Sequence, residues 1–278
     1  GLMSFTLPIL ATQEATQVGM GPDVFVVGAA WGAAAVGMYA SGSQLIRYVG
    51  QFLFPAVNVL LPAFSSADFL DAQRAPRLLS RTLLPVTAIG AAVFLGIAAN
   101  GEAVMVLWAG DATALGTSVL IAHAIVFTLI PPAHLLTLML IARGQHAVIG
   151  AVVFAESVVN LCLSIVLVGA IGPFGAALST LVVIGTNDLV VIPLLASARL
   201  QMRPGAIWTG IAGGYLAGGL IVATSLLIPV AEPIHIVGRV AVEAGLLAGV
   251  VWYALRPRAD GPATVDRSSP QVGTDRSL

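Results

Sequence analysis

The chain has 278 residues, 58% of them hydrophobic and only 9% charged, with a net charge of −1. Soluble domains carry roughly 25% charged residues, so this chain cannot cover a globule with solvated groups and must take lipid as its solvent. All twelve basic residues are Arg, scattered along the chain, which excludes a polybasic nucleic-acid surface.

Crossing about 30 Å of hydrocarbon takes roughly 20 apolar residues per helix, whereas strands of a membrane barrel would alternate in polarity over about ten residues. The runs here are long and unalternating. The expected fold class is therefore all-α, a polytopic membrane helix bundle of about eight transmembrane helices. In chain order they are expected near 4–21, 35–64, 81–99, 115–142, 146–170, 174–198, 205–229 and 235–255. GMGPD (19–23) marks the end of the first, and SSADFLDAQRAPR (65–77) separates the second from the third. ARGQH (142–146), AIGPFG (170–175), RLQMRPG (199–205) and PVAEPIH (229–235) read as short turns. Residues 256–278 have almost no apolar residue and are expected to form a disordered tail. The start, GLMSFTLPIL, has neither the basic region nor the cleavage site of a secretory signal. Cys162 lies in the apolar run LCLSIVLV and reads as a small packing residue.

Orientation follows from the Arg residues. Arg74, Arg77 and Arg81 flank one loop, Arg143 lies in the next but one, Arg199 and Arg203 follow, and Arg256 and Arg258 close the series. The intervening loops lack Arg, and those around Asp23, Glu102, Asp111 and Glu232 are acidic. The alternation places the even-helix ends, and hence both termini, in the cytoplasm.

An ionisable side chain at membrane depth costs about 2.5–3.5 kcal/mol on insertion scales and usually faces a cavity or a partner. The first helix carries Gln13, Glu14 and Gln17 on one face. The second carries Arg47, with Gln44 and Gln51 about one turn to either side. Two readings stay open: a water-filled cavity for an anionic or polyhydroxylated substrate, with Arg47 as the anion contact, or a Glu14–Arg47 pair locking two helices together. Glu156 and Asn160 sit at i and i+4 on the fifth helix, and Asn187 and Asp188 on the sixth. Being on sequential helices, they are expected to bond across that interface as structural polar pairs. Arg239 and Glu243, also i and i+4, are expected to pair near the end of the last helix. His123 and His134 are eleven residues apart, about 16 Å along a helix, so no metal site is expected.

Pro55, Pro62, Pro85, Pro131, Pro132 and Pro193 fall within or at the ends of helices, where each removes a backbone hydrogen bond. With thirty Gly residues, they point to helices that bend and pass closely, as transporters need; ordinary membrane packing also uses small residues. No Walker loop, dinucleotide fingerprint or hydrolase motif occurs, so neither enzymatic chemistry nor a cofactor is expected.

Several segments, read in order, resemble the C-terminal half of bacterial polysaccharide flippases. These belong to the multidrug/oligosaccharidyl-lipid/polysaccharide exporter superfamily, together with lipid II flippases and MATE drug exporters. The segments are DVFVVGAAWGAAAVGMYASGSQLI (23–46), FLFPAVNVLLPAFSS (52–66), VLWAGD (106–111), LIARGQHAV (140–148) and NLCLSIVLVGAIGPFGAALSTLV (160–182). The resemblance implies one lobe of a flippase-like fold over 1–198, a pair of additional transmembrane helices over 199–255 and a cytoplasmic tail over 256–278. It implies that the first lobe is missing and that the first two helices of this one line a central cavity. Glu14, Gln17, Gln44, Arg47 and Gln51 are then the substrate-cavity candidates. Where lipid II flippases place a cavity arginine, this sequence has Ser43, one turn before Arg47, so only the idea of a cationic cavity carries over. The expected function is flipping of a lipid-linked oligosaccharide across the bacterial inner membrane by alternating access. Its expected partners are membrane lipid, the missing lobe and other polysaccharide-pathway proteins. The alternatives are a MATE-like cation-coupled drug exporter, a membrane-embedded enzyme of the same pathway and a non-transporting fragment.

Overall fold

The computed structural model of the chain describes residues 22–64, 74–228 and 236–255. Every regular element in it is helical, and no strand occurs among the described residues. The helices are α1 (Pro22–Asn58), α2 (Leu61–Phe64), α3 (Arg74–Ala99), α4 (Gly101–Ala109) and α5 (Ala114–Ala142). They continue as α6 (His146–Ile171), α7 (Phe174–Thr186), a π-helical turn (Asn187–Val191), α8 (Ile192–Leu200), α9 (Pro204–Ser225) and α10 (Ile236–Leu255). Among the described residues six segments are long and apolar enough to cross a membrane: α1, Thr82–Ala99 of α3, α5, α6, α7 through α8, and α9. The chain is an all-α membrane helix bundle. The expected span 4–21 and the tail 256–278 lie outside the described residues.

α5 is the axis of the bundle. It is apolar on all sides, and such a helix is expected at the centre rather than at a boundary. Its residues Leu135, Leu136, Met139 and Leu140 are buried with Leu79, Leu83, Ile192 and Ile211 at one end. At its other end Val119 and Ala122 pack with Val27, Tyr39 and Val168. Between them, Leu120, Ala124 and Phe127 meet Ile46, Phe94 and Met105. Pro131 and Pro132 lie inside α5, and both are buried. The helix continues through them, so the pair does not break the rod. α3 and α9 pack closely side by side, and α10 covers both, Leu247 packing with Ala92 of α3 and with Ile221 and Val222 of α9.

The expected break at 19–23 lies largely outside the described residues; Pro22 and Asp23 already belong to a helix, and the chain makes a further reversal at Gly32. Gly32 has φ 78° and ψ −179°, a conformation open essentially to glycine alone. Tyr39 Oη lies 3.3 Å from Asp23 Oδ2, whereas sixteen residues of straight helix would separate them by about 24 Å. α1 is therefore two legs, Pro22–Trp31 and Ala33–Asn58, folded back on each other. The reading of Asp23 as a residue of an exposed acidic loop is corrected accordingly: it is buried between helices. The signal was hidden because the true turn, AAWGAAA, contains no polar residue.

A second addition is α4, in a stretch read as a connection. Glu102 sits in its first turn, where a negative charge complements the helix dipole. Gly110 closes it in the left-handed conformation. Trp108 Nε1 donates to the Ser41 carbonyl at 3.1 Å, anchoring α4 to α1.

Close approach of α1 and α5 depends on Gly42, since a Cβ there would lie 2.3 Å from the Gly116 carbonyl oxygen. Gly42→Ala is expected to force the two helices apart at a cost of about 1–3 kcal/mol. The thermal midpoint of the purified protein in detergent measures it, and an unchanged midpoint would show that the interface yields freely.

The loops sort into two faces. Arg199 Nη1 donates to Gln145 Oε1 at 2.7 Å, joining the α5–α6 and α8–α9 turns. On the opposite face Trp31, beside the Gly32 turn, lies against Gly172 of the α6–α7 turn. Arg239 there binds both Asn100 and Ile228, tying the end of α3 to the end of α9.

Candidate functional site

Among the described residues the charged group with the least exposure is Asp23, 2% exposed. The short first leg of α1 carries it inward from the Gly32 turn, to where α6 and α7 converge. Thr180 Oγ1 of α7 donates to Asp23 Oδ2 at 2.8 Å, and Tyr39 Oη donates to the same oxygen at 3.3 Å. Ser164 of α6 lies beside the carboxylate. Asp23 Oδ1 and Ser164 Oγ are both buried and face one another. A carboxylate enclosed at membrane depth is costly and usually faces a partner or a cavity. A carboxylate ringed by hydroxyls can exchange a proton or hold a small cation. Among the described residues no group of three or more His, Cys, Asp or Glu could hold a metal ion.

Tyr39 extends this cluster to His123, whose ring it meets edge-on at 5.8 Å between centroids. His123 Nδ1 is 3.0 Å from the Val119 carbonyl oxygen, so the ring is held within its own helix. The Arg47 guanidinium lies close enough to act electrostatically on Asp23, Tyr39 and His123. A polar row thus runs through an apolar bundle from Thr180 to Arg47.

Of the substrate-cavity candidates, Arg47 is half-buried and donates through Nη2 to Gln44 Oε1 at 3.2 Å. Gln44 Nε2 in turn donates to Tyr48 Oη at 2.7 Å. Gln51 is exposed at the next turn. Gln13, Glu14 and Gln17 lie outside the described residues, and with them the Glu14–Arg47 pairing.

The second polar cluster joins α6 to the π-helical turn. Asn187 Nδ2 donates to Glu156 Oε2, and it also lies 3.3 Å from Asp188 Oδ1. One amide therefore stands between two carboxylates. Asn187, Asp188 and Asn160 are buried, and Glu156 is half-buried at the edge of a cavity of about 390 Å³. The π-turn adds one residue to the helical turn and so directs Asn187 and Asp188 inward together; such turns concentrate at functional positions.

Arg239 and Glu243 do not form the expected pair. Arg239 Nε donates to the Ile228 carbonyl at 2.8 Å and Nη1 donates to Asn100 Oδ1. Glu243 Oε1 accepts from Ser225 Oγ at 2.6 Å. Each side chain hydrogen-bonds a neighbouring segment instead, Arg239 the half-buried Asn100 and Ile228 and Glu243 the buried Ser225.

Sequence reasoning missed Asp23, Tyr39, Ser164 and Thr180 as a group, since no spacing in the chain brings four distant residues together. The one usable signal was an Asp followed directly by an apolar run, VFVVGAAWG, too apolar for an exposed loop.

No curated protein and no solved structure matches the chain significantly. Residues 1–112, which include α1 with Asp23 and Arg47, match the family model described as polysaccharide biosynthesis protein. With its long apolar helices the chain is a multi-pass membrane protein, and its first 112 residues are similar to that polysaccharide-biosynthesis family.

Proposed function

We propose that this chain is part of a transporter that moves a lipid-linked oligosaccharide across the bacterial inner membrane by alternating access. The observation that carries the reading is a coincidence of place. The segment matching the polysaccharide-biosynthesis family holds both Asp23 and Arg47, two charged groups inside the bundle. A flipped oligosaccharide carrier presents phosphate and many hydroxyls to whatever lines its path. Arg47 faces the phosphate or acidic sugars, while Gln44, Gln51, Glu14 and Gln17 bond sugar hydroxyls. Asp23 is the carboxylate that couples an ion to the movement of the helices around it. The face bearing Arg143 and Arg199 is the cytoplasmic one.

The test is made in cells expressing the intact protein, by measuring surface polysaccharide and the sidedness of its lipid-linked precursor. Arg47→Ala is expected to trap the precursor on the cytoplasmic side, and Arg47→Lys to restore part of the export because it keeps the charge. Normal export by Arg47→Ala would refute the reading. The rival, a cation-coupled drug exporter, predicts gradient-dependent efflux of cationic dyes that Glu14→Gln abolishes.

A further inference from the structure

The charged cluster at the end of α10 borders a cavity that the transport reading does not use. Its walls come from α3, α4 and α10, with Val49 of α1 beneath, and its volume is about 280 Å³. That falls just below the range of roughly 300–1,000 Å³ usual for small-molecule sites. It has room for a segment of one acyl chain and not for an oligosaccharide.

The chemistry is divided along its length. Val93, Ile97, Val240 and Leu247 make one part apolar. Asn100 and Arg239 close the other part, at the bundle face opposite Arg143 and Arg199. Arg239 is half-buried and fixed by its bonds to Ile228 and Asn100 through Nε and Nη1. Its remaining amino group, Nη2, carries no hydrogen bond among the described residues. Glu243 also lines the cavity, one turn deeper and against Gly96, with Oε1 held by Ser225. Its carboxylate is thus held toward α3 and α9, one turn below the acceptors Asn100 and Ile228 that fix Arg239.

A guanidinium at the end of a membrane helix with an apolar groove running inward from it matches one class of molecule. We propose that this groove binds a glycerophospholipid of the surrounding leaflet, its phosphate on Arg239 and one acyl chain along Val93, Val240 and Leu247. The lipid wedges between α3 and α10 and so fastens the last helix to the bundle. Arginine suits the task because its planar fork can hold protein acceptors with two nitrogens and a phosphate oxygen with the third.

The full chain is reconstituted in phosphatidylethanolamine vesicles containing a phosphatidylglycerol with a diazirine in one acyl chain. After illumination, labelled peptides from α10 are compared with those from the widely exposed α6, which reports unselective contact with bulk lipid. Preferential labelling of α10 is expected, and Arg239→Gln should lower it roughly fivefold, the effect of one basic residue on an anionic headgroup. Arg239→Lys should keep most of the preference. Ala244→Phe, which fills the groove and leaves the charge in place, should lower labelling as well. Equal labelling of α10 and α6, or labelling indifferent to both Arg239→Gln and Ala244→Phe, overturns the proposal. So does displacement of the probe by undecaprenyl phosphate at low mole fraction, which would make the groove part of a carrier path. Thermal midpoints of each variant show whether a loss of labelling reflects a loss of fold.

Discussion

Asp23→Asn is expected to leave the bundle folded and to lower export about 5–150-fold, the effect of losing roughly 1–3 kcal/mol of coupling free energy. The substitution keeps shape and volume. The amide oxygen can still accept from Thr180 Oγ1 and Tyr39 Oη, and the new amino group can donate to Ser164 Oγ, which lies beside it. Stability should therefore hold or rise while the negative charge is lost. Asp23→Leu is the contrasting case. It removes the acceptor from the buried Tyr39 hydroxyl at a cost of about 1–3 kcal/mol; Thr180 keeps its bond to the Ala176 carbonyl. The two variants separate function from folding by comparing export with the thermal midpoint. Full export by Asp23→Asn would reduce Asp23 to a structural residue.

The second large effect is expected at the π-helical turn. Asn187→Leu removes the amide donor that stands between Glu156 and Asp188, so the two carboxyl groups are left facing one another without it in a lipid-embedded interface. Leaving a buried polar group without its partner costs about 1–3 kcal/mol. Glu156→Gln in the same chain supplies a new donor, so it should recover much of the loss. That recovery is the non-additivity of residues in contact, and a double-mutant cycle on thermal midpoints measures it. Purely additive effects would show that Asn187 acts through packing alone.

The spans themselves were legible because membrane helices announce themselves by length. The expected 115–142, 146–170 and 235–255 correspond to Ala114–Ala142, His146–Ile171 and Ile236–Leu255. Their ends fall at Arg143, Gly172 and Arg256, where the apolar run stops. The miss arose where that rule fails: AAWGAAA is apolar but turns. A turn sheltered by Gly172 and the neighbouring helix needs no polar side chains.

The polar residues divide in the same way. That Arg47, Glu156, Asn160 and Asp188 lie at membrane depth follows from their place in apolar runs. Which groups they meet does not, because a helix surface offers each side chain several neighbours at similar distance. At i and i+4, Arg239 and Glu243 were the natural pair, yet Asn100, Ile228 and Ser225 took their hydrogen bonds. By itself, then, the sequence determined that the chain lives in a membrane, as a bundle of helices crossing it several times. Composition and run length suffice for that, since both express the cost of placing charge in hydrocarbon. Only the tertiary structure decided that Asp23 is interior and joined to Thr180 and Tyr39. That outcome depends on a reversal at a single glycine and on contacts between residues 16 and 157 positions apart.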